Sequence, residues 1–193
     1  MDAYNKAHAI DTIPADPTGP KRSVTFYASE EPKAAFSMTA RASDFIRESV
    51  AEGQPFYSQI SHYAVHLGIS ARQQSYDRFL NKTPGKKHDD PAYAAMTYDL
   101  DAAIGQVMDL VNELGIQNNT YIVVTSDNGG VAYMAQTSRI DADFNIEATH
   151  RTKVAAQNSP LRSGKHTFYE GGIRIPFLIS GPNIAANSHS KEP

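Results

Sequence analysis

Asp90-Pro91 leads into a run in which Tyr93, Met96, Leu100, Ala103, Ile104, Val107, Leu110, Val111 and Leu114 recur at helical spacing up to Gly115. Asn118-Asn119 follows, and then Tyr121-Ile122-Val123-Val124-Thr125-Ser126-Asp127-Asn128-Gly129-Gly130. Asp can accept from the free amides at a helix start, Pro tolerates the first helical position and Gly suits the residue after the last turn, so the spacing predicts one amphipathic helix with both ends marked. Asn118-Asn119 is a turn signal. The β-branched run after it is of the kind found in a parallel strand covered on both faces. Helix, short turn and buried strand together are an α/β signature.

Working upstream, Met38, Ala42, Phe45, Ile46 and Val50 predict a second amphipathic helix that stops at Gly53. Pro55-Phe56-Tyr57-Ser58-Gln59-Ile60-Ser61 is aromatic, β-favouring and of strand length, and it runs directly into His62-Tyr63-Ala64-Val65-His66. Both histidines therefore fall at or just past a predicted strand end. Residues 68–90 are polar and read as irregular, apart from a turn or two of helix over 73–80. Residues 1–35 are rich in Pro, Asp, Ala and Ser without a period and read as an extended or poorly ordered arm ahead of one domain over 36–193. Downstream of Gly130, a long loop to Asn158 is expected over the sheet edge. A glycine-punctuated segment, 159–172, precedes a strand over 173–180.

A chain of 193 residues with 40% apolar content supports one globular core. Eighteen Lys and Arg against 21 Asp and Glu give a net charge of −3 without long single-sign runs, which offers no electrostatic case for nucleic acid or an anionic membrane. No segment is apolar for the roughly 20 residues a bilayer requires, and the first dozen residues lack a signal-peptide pattern. The compartment is not legible. There is no cysteine, hence no disulfide framework and no thiolate metal site.

Three groups of residues can carry chemistry. Asp127-Asn128, at a strand end where α/β sheets collect ligands, offers a carboxylate and an amide oxygen, hard donors suited to calcium or magnesium, and the glycines after them permit close backbone approach to the ion or substrate. The same four residues also read as a plain turn. His62 and His66 are four apart, but Tyr63 stands where a zinc-hydrolase motif needs Glu. An imidazole there can instead donate to an anionic substrate or protonate a leaving group. A role confined to packing suits His62 better than His66. Gly164-Lys165 is not a nucleotide-binding loop, since Ser159 replaces its first Gly and His166 follows the lysine. What remains is a compact cation in a glycine-rich turn, suited to a tetrahedral anion or simply solvated.

In order, Pro55-Phe56 with Ser61-His62-Tyr63-Ala64-Val65-His66, Tyr98-Asp99-Leu100-Asp101, Thr125 through Gly130, and Pro160-Leu161-Arg162-Ser163-Gly164-Lys165 through Tyr169-Glu170-Gly171-Gly172-Ile173-Arg174-Ile175-Pro176 resemble the formylglycine-dependent sulfatases. These belong to the alkaline phosphatase superfamily. The resemblance covers about residues 37–182, the later part of the catalytic domain. It implies a mixed, mostly parallel sheet flanked by helices, here incomplete. It also implies a divalent cation, usually Ca2+ with Mg2+ as the alternative, held in part by Asp127 and Asn128. Lys165 corresponds to the lysine on the sulfate oxygens and His66 to the histidine near the bridging ester oxygen, so both are candidate catalytic and substrate-binding residues. Glu170 and Arg174 correspond to structural positions.

In that family a hydrated formylglycine attacks sulfur while cationic groups stabilise the sulfuryl oxygens. The implied function is hydrolysis of sulfate esters on a sulfated small molecule or glycan. The family's paired Asp ligands, its Cys/Ser-x-Pro-x-Arg nucleophile motif and a further Lys and His have no counterpart here. Thr18-Gly19-Pro20-Lys21-Arg22 has the spacing with the wrong first residue, and Asp89-Asp90 lies in the wrong region. Leu67-Gly68 stands where Thr-Pro is common, and His166 where Gly is common. The chain alone is therefore expected to be inactive and, with strand edges and apolar helix faces uncovered, poorly soluble. Most members of the family are exported. The alternatives are a phosphoester hydrolase or transferase of the same superfamily, and a non-catalytic binder of sulfated glycans.

Overall fold

A computed structural model describes residues 27–66, 69–83, 90–131 and 158–190. The first helix, α1 (Ala35–Ala51), enters from a tight turn at Pro32–Ala34. Its first amides are capped from before the turn, where Glu31 Oε1 accepts from the N–H groups of Phe36 at 3.1 Å and Ser37 at 2.9 Å. A carboxylate there satisfies free donors and complements the helix dipole. At the other end Gly53 adopts φ 67°, its N–H reaches the Val50 carbonyl, and the Gln54 N–H reaches back to Ser49. That pair of bonds is a Schellman stop.

The decisive helix, α3 (Pro91–Glu113), follows the shorter α2 (Gln73–Leu80). Asp90 Oδ1 accepts from the N–H of Ala92 at 2.9 Å and of Tyr93 at 3.4 Å, with Pro91 in the first position. Gly115, at φ 69°, ends it in a second Schellman motif, with Ile116 N–H on the Val111 carbonyl and Gly115 N–H on that of Asn112. Both α1 and α2 pack on α3. The main cluster buries Ile69, Ala71, Ala92, Ala95 and Met96, with Ala64, Val65, Tyr76, Phe79 and Tyr93 packed against it.

One buried carboxylate ties these helices together. Asp99 of α3, 1% exposed, accepts from the Arg72 backbone N–H at 2.8 Å, from Arg72 Nε at 2.8 Å and from Ser75 Oγ at 2.7 Å. The Arg72 guanidinium lies 4.4 Å from the centroid of the Phe36 ring of α1. A single side chain of α3 therefore closes the N-terminus of α2 and, through Arg72, reaches α1.

Two short sheets complete the described architecture. The strands β1 (Tyr27–Ala28) and β2 (Ser70–Ala71) pair in parallel. The strands β3 (Ile122–Thr125) and β4 (Phe177–Ser180) pair antiparallel, with Val123 opposite Ile179 and Thr125 opposite Phe177. The architecture is α/β with incomplete sheets, as expected. Within the expected arm, the described residues 27–28 form β1.

Three local expectations change. The run 121–125 contains a strand, but its partner is antiparallel, and Tyr121, Val123, Phe177 and Ile179 remain exposed rather than covered. Residues 173–176 are not strand, because Glu170–Ile173 forms a helical turn, α4, and pairing starts at Phe177. Residues 55–61 have no ladder partner among the described residues. Their side chains still alternate: Phe56, Ser58, Ile60 and His62 are half-buried, while Tyr57, Gln59, Ser61 and Tyr63 are exposed. The strand pattern is there without the neighbour that would turn it into a sheet, because strand formation requires hydrogen bonds that the local sequence cannot supply. The loop expected over 131–158 lies, apart from its two end residues, outside the described residues.

Candidate functional site

The chain leaves β3 through a side-chain-supported turn. Ser126 Oγ donates to the Asn128 carbonyl at 2.9 Å, and Asn128 Nδ2 donates to the Gly129 carbonyl at 3.0 Å. With its nitrogen so engaged, the amide oxygen is the Asn128 atom left for a ligand. Asp127 is exposed beside it. Two hard oxygen donors next to each other fit part of a calcium or magnesium shell. Among the described residues no cluster of three or more His, Asp or Glu side chains completes one.

Immediately afterwards the backbone is stitched to the glycine-rich segment. Gly129 N–H donates to the Gly172 carbonyl at 2.9 Å, Lys165 N–H to the Gly130 carbonyl at 2.9 Å, and Gly171 N–H to the Arg162 carbonyl at 2.9 Å. Gly129 and Gly171 are buried, and a Cβ on Gly129 would collide with the Gly171 carbonyl, as one on Gly171 would with that of Ser163. Glycine after Asp127-Asn128 was expected to admit an ion or substrate. For Gly129 the close approach is instead to another stretch of backbone, the one that carries Lys165.

That stretch is held in an unusual conformation. Ser163 at φ 64° and His166 at φ 70° flank Gly164-Lys165 in the left-handed region, which disfavours residues with a side chain. Thr167 Oγ1 donates to the Gly164 carbonyl at 2.7 Å, and the Arg162 guanidinium sits 3.8 Å from the Tyr169 ring centroid. The departure at His166 thus falls where the backbone itself favours glycine. Glu170 and Arg174, expected to be structural, form an exposed i,i+4 ion pair at 3.2 Å.

Sequence reasoning overlooked Asn158. Its Nδ2 donates to the Gly130 carbonyl at 3.0 Å and to the Ser163 carbonyl at 3.1 Å. The available signal was an Asn two residues before Pro160 at the head of a glycine-rich turn, where amide side chains commonly bind nearby backbone.

The two histidines occupy different settings. His62 Nε2 lies 3.1 Å from the buried Thr39 Oγ1 of α1, and burial holds its imidazole below the ordinary value, partly offset by a hydrogen bond with the Ala35 backbone. Ala64 and Val65 then pack on the main cluster, and the turn that follows presents His66 to solvent. Lys165 is brought against the Asp127-Asn128 segment by backbone bonds. No hydrogen bond or ion pair among the described residues joins His66 to either.

A turn offering two hard oxygen donors at a strand end is thus bonded to a lysine-bearing glycine loop within an α/β frame. The sulfatase family profile matches residues 4–193, and the chain belongs to that family. It is similar to a sulfatase of Formosa agariphila, at 29% identity over 72% of this chain and 23% of that protein. The N-acetylgalactosamine-6-sulfatase of Rattus norvegicus is 30% identical over 78% of this chain and 24% of its own length. Among solved structures, Ps i-CgsB in complex with k-i-k-neocarrahexaose superimposes with a TM-score of 0.60 at 26% identity, over 77% of this chain and 28% of that one. The PsFucS1 sulfatase from Pseudoalteromonas sp. gives 0.51 at 26% identity, over 74% and 23%. The chain thus spans about a quarter of the length of the relatives it matches. No described helix is long and apolar enough to cross a membrane.

Proposed function

We propose that these residues form the cation-binding and sulfate-oxygen-binding part of a sulfuric ester hydrolase site. The observation that carries this reading is the Lys165 N–H bond to the Gly130 carbonyl, which fixes the lysine loop against the turn bearing Asp127 and Asn128. Asp127 and Asn128 would hold a calcium ion, with magnesium as the alternative, through the carboxylate and the amide oxygen. When bound, the ion supplies Lewis acidity toward the sulfuryl oxygens. Lys165 contributes a compact cation to those oxygens as their charge grows. His66, by its match to the family, donates a proton to the departing alcohol oxygen.

The substrate is a sulfated sugar or small molecule. Support comes from relatives named as N-acetylgalactosamine-6-sulfatases and steryl-sulfatases, and from the neocarrahexaose in the superimposed structure. A second reading is binding of a sulfated glycan without cleavage, and the oligosaccharide held by the superimposed structure is the observation in its favour.

Calorimetric titration with Ca2+ tests the shared part of both readings. Saturable binding by the chain, lost in Asp127→Asn, is the expected result; no binding at about 1 mM free Ca2+, the weak end of protein calcium sites, would overturn the cation assignment. With a segment carrying the Cys/Ser-x-Pro-x-Arg motif and the paired Asp ligands supplied, turnover of an aryl sulfate, or retention of a sulfated oligosaccharide without turnover, separates hydrolysis from binding.

A further inference from the structure

We infer that Asn158 is a positioning residue that sets where Lys165 stands relative to Asp127 and Asn128. The inference rests on the reading of Lys165 as the sulfate-oxygen contact and adds what holds that lysine in place. The Gly130 carbonyl accepts two hydrogen bonds, from Lys165 N–H at 2.9 Å and from Asn158 Nδ2 at 3.0 Å. A carbonyl oxygen has two lone pairs, so both are engaged by the glycine-rich segment and its head. The second proton of the Asn158 amide goes to the Ser163 carbonyl at 3.1 Å. Asn158 thus uses one N–H donor across the gap between the two segments of the site and the other to hold the loop of its own segment.

The position of that clamp matters because the loop it grips is strained. Ser163, one of its two acceptors, is left-handed at φ 64°, and His166 beyond the lysine is left-handed at φ 70°. Non-glycine residues stay in this region when surrounding bonds over-determine them, and such residues gather at functional sites. Asn158 bonds one of the two strained residues directly and shares its other acceptor with Lys165 itself. The side chain must supply N–H donors, because a carboxylate at this position would face two carbonyl oxygens with no proton to offer. In this role Asn158 acts through the Gly130 and Ser163 carbonyls.

The test compares the full chain with Asn158→Asp, following amide hydrogen exchange by residue and the affinity for inorganic sulfate. The expected result is exchange at the Lys165 amide faster by about tenfold or more, the scale of losing one or two net hydrogen bonds, while Val123 and Val124 keep their protection. Sulfate affinity falls with it. Unchanged exchange at Lys165 overturns the inference. Faster exchange at Lys165 in a chain whose parent binds no sulfate supports the clamp and overturns the sulfate role of Lys165, so the two readings fail separately. Should Asn158→Asp unfold, Asn158→Ser, whose one hydroxyl can serve only one carbonyl, gives the same comparison. Loss confined to Lys165 and its neighbours supports the positioning role, and uniform loss across β3 overturns it.

Discussion

Lys165 donates its backbone N–H to the carbonyl of Gly130 at 2.9 Å, although 35 positions separate them in the chain. The bond lies between a cation suited to a sulfate oxygen and a turn that presents two hard oxygen ligands. Its surroundings define what substitutions should do.

Gly129→Ala should damage this arrangement more than its size suggests. The added methyl meets the Gly171 carbonyl, part of a backbone rather than a flexible side chain, so the two segments must separate. A loss of about 1–3 kcal/mol is expected from overpacking of this kind. Urea unfolding should show it, accompanied by faster exchange of the Lys165 amide.

His166→Gly should act in the opposite direction. The residue sits at φ 70°, where a side chain is disfavoured and glycine is not. The substitution is expected to stabilise the chain by about 0.5–1 kcal/mol, less the contacts of the imidazole, measured as a higher urea midpoint with an unchanged slope.

Asp99→Ala should be the most harmful of these changes. It removes the acceptor of three hydrogen bonds and leaves the Arg72 guanidinium unpaired against Phe36. Breaking a buried ion pair by deleting one partner costs about 3–5 kcal/mol, and partial exposure of Arg72 puts the expectation at the low end. Loss of a cooperative unfolding transition, or a midpoint shift of that size, is the measurement.

His62 gives the fold a pH dependence. Burial lowers its folded-state value below the ordinary 6.5, so the unfolded chain binds the proton more readily. The sign follows: its contribution is fully present above the unfolded value and is lost as pH falls through the folded one. Stability should therefore decline as the solution is acidified below about 6.5, the ordinary imidazole value, and His62→Gln should flatten that decline. Denaturant unfolding at several pH values, with an NMR titration of the His62 ring, checks both.

Much of the architecture was written locally. Asp90-Pro91 and Gly115 bound α3 because capping depends on a few neighbouring residues. The settings of His62, bonded to Thr39, and of His66, turned to solvent, came from the tertiary structure. Asp127, Asn128 and Lys165 were legible as chemistry and through family resemblance.

What the sequence alone determined is therefore a sulfatase-family α/β chain with the ends of α3 in place and Asp127, Asn128 and Lys165 as its candidate site residues. Only the tertiary structure decided that β3 pairs antiparallel with β4, that residues 55–61 keep a strand pattern without a ladder, that Gly129 serves the approach of two backbones, and that Asn158 clamps the Lys165 loop. The physical reason is range. Caps and turns are satisfied by groups a few residues away, whereas a sheet partner, a close backbone crossing or a bridging amide depends on groups that only folding brings within about 3 Å of one another.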